Sequence, residues 1–373
     1  MDDSRQRAII LEEANAFLST PPTHITAAIA PNSAGGPHDY YSGGDYWWPN
    51  PDTADGLPYV RRDGETYPRL FTAHRMALRT MRRAVTHLAV AWHITCEEAY
   101  ARAAATWLRT FFLDEATRMA PHLRYAQAIP GVCDGRGIGI IDTLHLIDVP
   151  AAIALLQAQL PPEDRAGLVQ WFKAYLHWMN THENGIQERE WFNNHAVAWY
   201  AQAASFARFT GDEAMLAFCR ERFKTQLLTR QMASDGSFPA ELARTKPYYY
   251  ASMVLDGMAM ICLLASAPGD DLWTYTLPDG RGLRLGIDFL LPFLQDKTAG
   301  PYPPDIEHFD DLPVAMPYML FAGLRCHDER LLRLYEALPK ASGNEEIRRS
   351  IGIRCPTLYL LYEHGRLVSP PEA

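Results

Sequence analysis

Apolar residues recur at helical spacing along most of the chain. Near its start, Ala8, Ile9, Leu11, Ala14 and Leu18 fall close to a 3.6-residue period and predict a short helix over 4–18. Residues 19–69 lose that rhythm. Pro21, Pro22, Pro31, Pro37, Pro49, Pro51 and Pro58 interrupt helices there, and Gly35, Gly36, Gly43 and Gly44 add turns. A loop this long in a compact protein is usually functional or disordered, and the aromatic run Tyr40, Tyr41, Tyr46, Trp47 and Trp48 argues against disorder. From Phe71 the helical period returns, predicting helices over 71–91, 96–112, 140–158, 163–181, 194–210, 213–230, 248–265, 280–296, 312–324, 328–337 and 345–363. Thr95 ahead of Glu97 and Glu98, and Pro161-Pro162-Glu163, mark two of the starts; Gly211-Asp212 reads as a C-cap followed by an N-cap. Few segments alternate with period two, so strands should be minor. The expected fold class is all-α: antiparallel helix pairs joined by short links, as in a solenoid or an incomplete α/α toroid. No close sequence repeat accompanies that rhythm, and no linker divides the chain. A single domain over 1–373 is expected, with 19–69 as a long cleft or lid loop.

Bulk composition narrows the classes. Of the 373 residues, 48% are hydrophobic and 21% charged, which supports a sizeable core. The formal net charge of −9 argues against a general nucleic-acid or membrane binder, since both present negative charge. An anionic partner would need a local basic cluster. The first residues lack a basic stretch followed by an apolar core, and no uninterrupted apolar run of ~18 residues is present. A cytoplasmic chain and a trimmed, exported one fit equally. None of the six cysteines forms a CxxC pair, and most read as small buried hydrophobes.

Four segments could carry chemistry. In the first, residues 38–51, Tyr40, Tyr41, Trp47 and Trp48 could stack on sugar rings while Asp45 binds hydroxyls; the same residues could equally form an aromatic plug. Arg61 and Arg62 just beyond it could meet carboxylates, or form a local pair with Asp63. In the second, residues 127–142, the glycines fail the phosphate-loop spacings. Gln127 and Arg136 are possible substrate contacts there, with tight turns and a capping Asp142 as the alternative. In the third, Trp191-Phe192-Asn193-Asn194-His195 leads into a helix, whose N-terminus offers free N–H groups and a positive dipole end. Asn194 and His195 could bind a carboxylate there, or Asn193 or Asn194 could simply cap the helix. In the fourth, residues 235–250, Arg244 and Lys246 bring cations beside Tyr248, Tyr249 and Tyr250, where a phenol could ionise more easily than its usual pKa of ~10 allows. Zinc, EF-hand and nucleophile-elbow spacings are missing. An acidic loop at Asp305, Glu307, His308, Asp310 and Asp311 reads as solvated rather than cation-binding.

Taken in order, YYSGGDYWWPNP (40–51), GRGIGIID (135–142), WFNNHAVAWY (191–200) and DGSFPAELARTKPYYY (235–250) resemble the alginate lyase-like polysaccharide lyases built on an α/α toroid. The resemblance implies an active site of Asn194, His195, Arg244 and Tyr250. The family tyrosine lies six or seven positions beyond its arginine, which selects Tyr250 over Tyr248, with Tyr249 as a neighbour. Asn193, Lys246 and Tyr249 join the candidate substrate contacts named above.

The resemblance also implies a reaction, β-elimination on a 1,4-linked uronic-acid polysaccharide such as mannuronate-rich alginate or glucuronan. The C5 proton becomes acidic only when the adjacent carboxylate is neutralised. Asn194 and Arg244 would do this, assisted by His195, and Tyr250 would take the C5 proton and return one to the C4 oxygen. For α-guluronate the two atoms lie on opposite faces, and His195 would be the base. No metal or cofactor is expected. The partner would be an anionic polysaccharide or oligosaccharide, and neither nucleic acid nor a membrane. A glycoside hydrolase on the same toroid and a non-catalytic carbohydrate-binding protein are the rival readings.

Overall fold

The structure, a computed structural model, describes residues 3–340, 343–363 and 366–367. The helices in chain order begin with α1 (Asp3–Ser19), α2 (Ala73–Thr95), α3 (Glu98–Phe112), α4 (Asp148–Leu155) and α5 (Pro162–Thr181). They continue with α6 (Glu183–Arg189), α7 (Asn194–Thr210), α8 (Glu213–Arg222), α9 (Leu228–Gln231), α10 (Pro239–Leu242) and α11 (Pro247–Ala265). The last are α12 (Leu283–Gln295), α13 (Pro317–Arg325), α14 (Glu329–Ala337), α15 (Glu345–Arg349) and α16 (Pro356–Leu360). The described chain is mainly helical, as its periodicity predicts. Among the described residues two compact units emerge: those within 1–60, 67–185 and 353–373 form one, and those within 61–66 and 186–352 the other.

In the first unit, α2 packs against α1, α3 and α4. Its buried face runs Leu78, Met81, Val85, Leu88, which repeats at three and four residues and forms a continuous apolar stripe. The strand Tyr41–Gly43 pairs in parallel with Tyr125–Ala128. Behind that pair lies a buried polar network. Arg75 bonds Asp45 at 2.8 Å and Asp142 at 3.4 Å, and Ser42, Tyr40 and Gln127 also donate to Asp142. Asp148 at the start of α4 accepts the backbone N–H groups of Arg354 at 2.8 Å and Cys355 at 3.3 Å, which ties the segment before α16 into this unit.

In the second unit, α7 and α11 pack together. Gly257 permits this: a Cβ there would stand 2.6 Å from Val197 Cγ1. Gly211 is left-handed at φ 74° and ends α7, and Asp212 accepts from Met215 N at 2.9 Å to start α8, as its sequence signals.

Several sequence expectations need correction. The helix expected over 140–158 begins as a 3-10 turn, Gly137–Ile147, and is α-helical only in α4. The helix expected over 345–363 is broken into α15 and α16, because Gly352 and Pro356 interrupt it. Helices α6 and α10 are too short for an amphipathic period to reveal them. Cys219, Cys262 and Cys355 are buried, but Cys133 and Cys326 are half-buried and Cys96 is exposed, so only half of the cysteines are core hydrophobes. Gly137–Leu155 and Pro247–Ala265 are long and apolar enough to cross a membrane, yet 78% and 94% of these stretches are buried within the protein.

Candidate active site

The start of α7 carries two of the expected residues. Asn193 is the N-cap: its backbone is extended, and its side chain accepts from His195 N at 3.2 Å. Asn194 and His195 therefore occupy the first two helical positions, where the helix dipole is positive. Each has a buried carboxylate behind it. Glu188 of α6, wholly buried, lies 3.1 Å from His195 Nδ1. Glu241 of α10, 1% exposed, accepts Asn194 N–H at 2.7 Å and lies 3.3 Å from Asn194 Nδ2. Burial raises the Glu241 pKa to about 7, against the pull of the Asn194 N–H and of Arg244 and with the repulsion of Asp63.

The other two lie just after α10 and at the start of α11. Arg244 Nη2 donates to Tyr250 Oη at 3.0 Å, and its guanidinium sits 4.1 Å from the centre of the Tyr250 ring. A cation in this position favours the phenolate. Asp63 holds the same guanidinium in a fork, accepting from Nε at 3.0 Å and from Nη2 at 2.8 Å. The turn that presents Asp63 needs Gly64, at φ +82°, since a side chain there would collide with Thr245 Oγ1. Burial works to raise the Asp63 pKa, but Arg244 and Arg61 outweigh it and bring it down to about 2. The same fork raises the Arg244 pKa against desolvation, so the guanidinium stays charged. Glu241 links the two halves: it bonds Asn194 and feels the Arg244 charge.

Among the three tyrosines, Tyr250 is the one beside Arg244. Tyr248 stacks on Phe293 at 3.9 Å and exchanges hydrogen bonds with the Tyr302 backbone. Tyr249 is 5% exposed and donates to the Glu346 carbonyl at 2.9 Å. Lys246 is 1% exposed, and its ammonium is committed to Glu307 at 2.9 Å and Glu346 at 3.6 Å, so burial takes it away from the role of an open cation. Asp305 is no solvated loop residue either: it accepts from Tyr248 N and Tyr249 N at 3.0 Å, capping α11. No group of acidic, histidine or cysteine residues suited to a metal occurs among the described residues.

The remaining candidates divide. Arg61 pairs with Asp63 at 2.7 Å, the local pair weighed against substrate binding, and Arg62 is exposed. In the first unit Tyr40 has no exposed surface, and its hydroxyl turns to Asp142. Tyr41 is buried beside Ala30, Ala128 and Phe71. Asp45 is spent on Arg75. For these three the plug alternative describes the segment, because the Tyr40 hydroxyl and the Asp45 carboxylate are committed to the buried network and the Tyr41 ring is packed into an apolar cluster. Trp47 and Trp48 are half-buried, and Arg136 lies over the Trp47 ring at 5.7 Å. Gln127, at φ 50°, uses both ends of its amide: Nε2 donates to Asp142 at 3.3 Å, and Oε1 accepts from Arg136 at 3.0 Å. It positions Arg136. Asp142 anchors the buried network and makes no capping bond among the described residues.

The family model described as alginate lyase matches residues 24–299. The chain belongs to the alginate lyase family. It is thus a polysaccharide lyase acting on uronic-acid polymers. Among solved structures, it is similar to an alginate lyase from Bacteroides ovatus, with 30% identity over 92% of each chain and a TM-score of 0.82. Alginate lyase A1-III from Sphingomonas species A1 shares the fold at 14% identity, covering 85% of this chain and 86% of that one, with a TM-score of 0.51. The fold class is the α/α toroid of these lyases. No curated protein sequence matches the chain.

Proposed function

We propose that this lyase cleaves a 1,4-linked uronate polymer by metal-independent β-elimination, with Tyr250 moving the proton. The contact of Arg244 with Tyr250 Oη at 3.0 Å carries the reading. A permanent cation held against the phenol offsets the cost of ionising a buried tyrosine, and this fits Tyr250 for the role of base. Of the five N–H groups of Arg244, those on Nε and Nη2 are taken by Asp63 and Tyr250. The Nη1 pair has no partner among the described residues and is the part of Arg244 left for a uronate carboxylate. Asn194 adds a second donor, and His195, oriented by Glu188, a third. With the carboxylate neutralised, the C5 proton passes to the Tyr250 oxygen, the C4–O bond breaks, and a proton returns to the leaving oxygen. One residue can perform both transfers where the proton and leaving group share a face, as in β-mannuronate or β-glucuronate. This favours mannuronate-rich alginate and glucuronan as substrates.

The test is incubation of the purified protein with a panel of uronic-acid polymers, read by ultraviolet absorbance. Elimination leaves a conjugated enoate that absorbs. New reducing ends without absorbance would establish hydrolysis instead, and polymer binding without either signal a carbohydrate-binding protein.

A further inference from the structure

The Asn194–Glu241 pair contains two buried groups whose needs are unmet. Glu241 is a buried carboxyl with no ion-pair partner among the described residues. Asn194 is 3% exposed, and its Oδ1 is buried without a hydrogen-bond donor among those residues. Burying a carboxylate without a cation is costly, and buried amide oxygens are nearly always paired. The charged groups facing Glu241 among the described residues are Arg244, from the segment after α10, and Asp63, from the turn at 61–66; from α7 it accepts the backbone and side-chain N–H groups of Asn194. The two charges oppose each other.

One proton meets both needs. The oxygen and nitrogen of an asparagine amide are nearly the same size, and the hydrogen-bond network decides which prong points where. If Glu241 Oε2 is protonated, it donates to Asn194 Oδ1, and Oε1 continues to accept Asn194 N–H. The amide then turns half a revolution, and its NH2 takes the place of the unpaired oxygen. We propose that Glu241 works as a carboxylic acid, whose proton turns the Asn194 amide so that NH2 rather than the carbonyl oxygen meets the substrate carboxylate. This deepens, and rests on, the elimination proposed above. An anion needs a donor at that point; the carboxylate form of Glu241 presents a like-charged oxygen dipole instead. The raised Glu241 pKa of about 7 keeps the acid populated near neutrality. Glu241 is a positioning residue, since it acts on the substrate through Asn194.

The experiment compares pH profiles of kcat/KM for the wild type, Glu241→Gln and Glu241→Ala on polymannuronate. Glutamine copies the protonated acid: its oxygen accepts Asn194 N–H and its NH2 donates to Oδ1. Glu241→Ala should lower kcat/KM about 100-fold, the low end of what the loss of one preorganised donor costs, and Glu241→Gln should restore most of it. The wild-type decline as pH rises through about 7 should vanish in Glu241→Gln. A folded Glu241→Gln as weak as Glu241→Ala, or one with an unmoved alkaline limb, overturns the proposal. Should that variant fail to fold, carboxyl-carbon NMR of the wild type decides. A glutamate titrating near pH 7 supports the proposal; all glutamates titrating near their usual ~4.3 overturn it. A wild type that forms no unsaturated product refutes the elimination itself, which separates the two failures.

Discussion

Asp63 fixes the guanidinium that fixes Tyr250, so Asp63→Asn tests how the site is held. Burial would raise the Asp63 pKa, yet Arg244 and Arg61 bring it from 3.8 down to about 2. At about 1.36 kcal/mol per factor of ten, that fall corresponds to about 2.5 kcal/mol of stabilisation of the ionised form. The Asp63 side chain is 24% exposed, and solvent screening reduces the figure to about 1–2 kcal/mol. A carboxyl with a depressed folded pKa stabilises fully above its unfolded value and loses that contribution as pH falls through its folded value. Asp63→Asn should therefore cost about 1–2 kcal/mol at pH 7, and the gap to the wild type should close as pH falls from about 4 towards about 2. Urea unfolding followed by tryptophan fluorescence at a series of pH values measures both. Turnover should drop about tenfold as well, because a guanidinium freed from its fork no longer sits fixed on the phenol. Equal stability at pH 7, a gap that stays constant into acid, or a destabilised variant with full turnover would each refute the argument.

The other expectations are simpler. Tyr250→Phe should abolish turnover by about 10³-fold or more while melting temperature and polymer affinity stay near wild type; near-normal activity would remove Tyr250 from the mechanism. His195→Ala should slow turnover about 100-fold and cost about 1–2 kcal/mol of stability, since it leaves the buried Glu188 without its imidazole. A lower melting temperature with normal turnover would make His195 structural. Asp142→Ala should destabilise the first unit by about 3–5 kcal/mol, because Arg75, Ser42 and Gln127 lose a shared acceptor. Thermal melts by circular dichroism read this, and a loss below about 1 kcal/mol would show that the network is dispensable.

The long helices were legible because their burial is written as a period. The caps at Gly211-Asp212 and Pro162 were legible because few residues can do those jobs. Element detail failed where tertiary contacts decide it. The 3-10 stretch 137–147 is as apolar as an α-helix and cannot be told from one by pattern. Tyr40, Tyr41 and Asp45 look like sugar-binding residues in sequence and are buried in the structure, since an aromatic loop can pack inward or outward with the same composition. Tyr250 could be chosen over Tyr248 only through the family resemblance, and the hydrogen-bond partners of each ring now separate them by geometry. Glu188, Glu241 and the reach of Asp63 to Arg244 were invisible, because no local spacing tells which of the 44 acidic residues is folded behind a distant polar group.

Those three acids explain how a chain of net charge −9 can meet a polyanion. His195, Asn194 and Arg244 each rest on a separate carboxyl group: Glu188, Glu241 and Asp63. Arg244 and Asp63 cancel as a pair, so the site does not attract the polymer by excess positive charge. What it offers is donors already aimed, at no cost of reorganisation when charge moves onto the uronate. Such a site tolerates one neutral acid better than three charged ones. If all three carboxyls were ionised against the guanidinium groups of Arg244 and Arg61, the local balance would still be negative and would oppose a fourth carboxylate arriving with the substrate. Glu241 is the one of the three whose burial raises its pKa to about 7. It is therefore the acid whose proton can set whether the substrate anion is admitted.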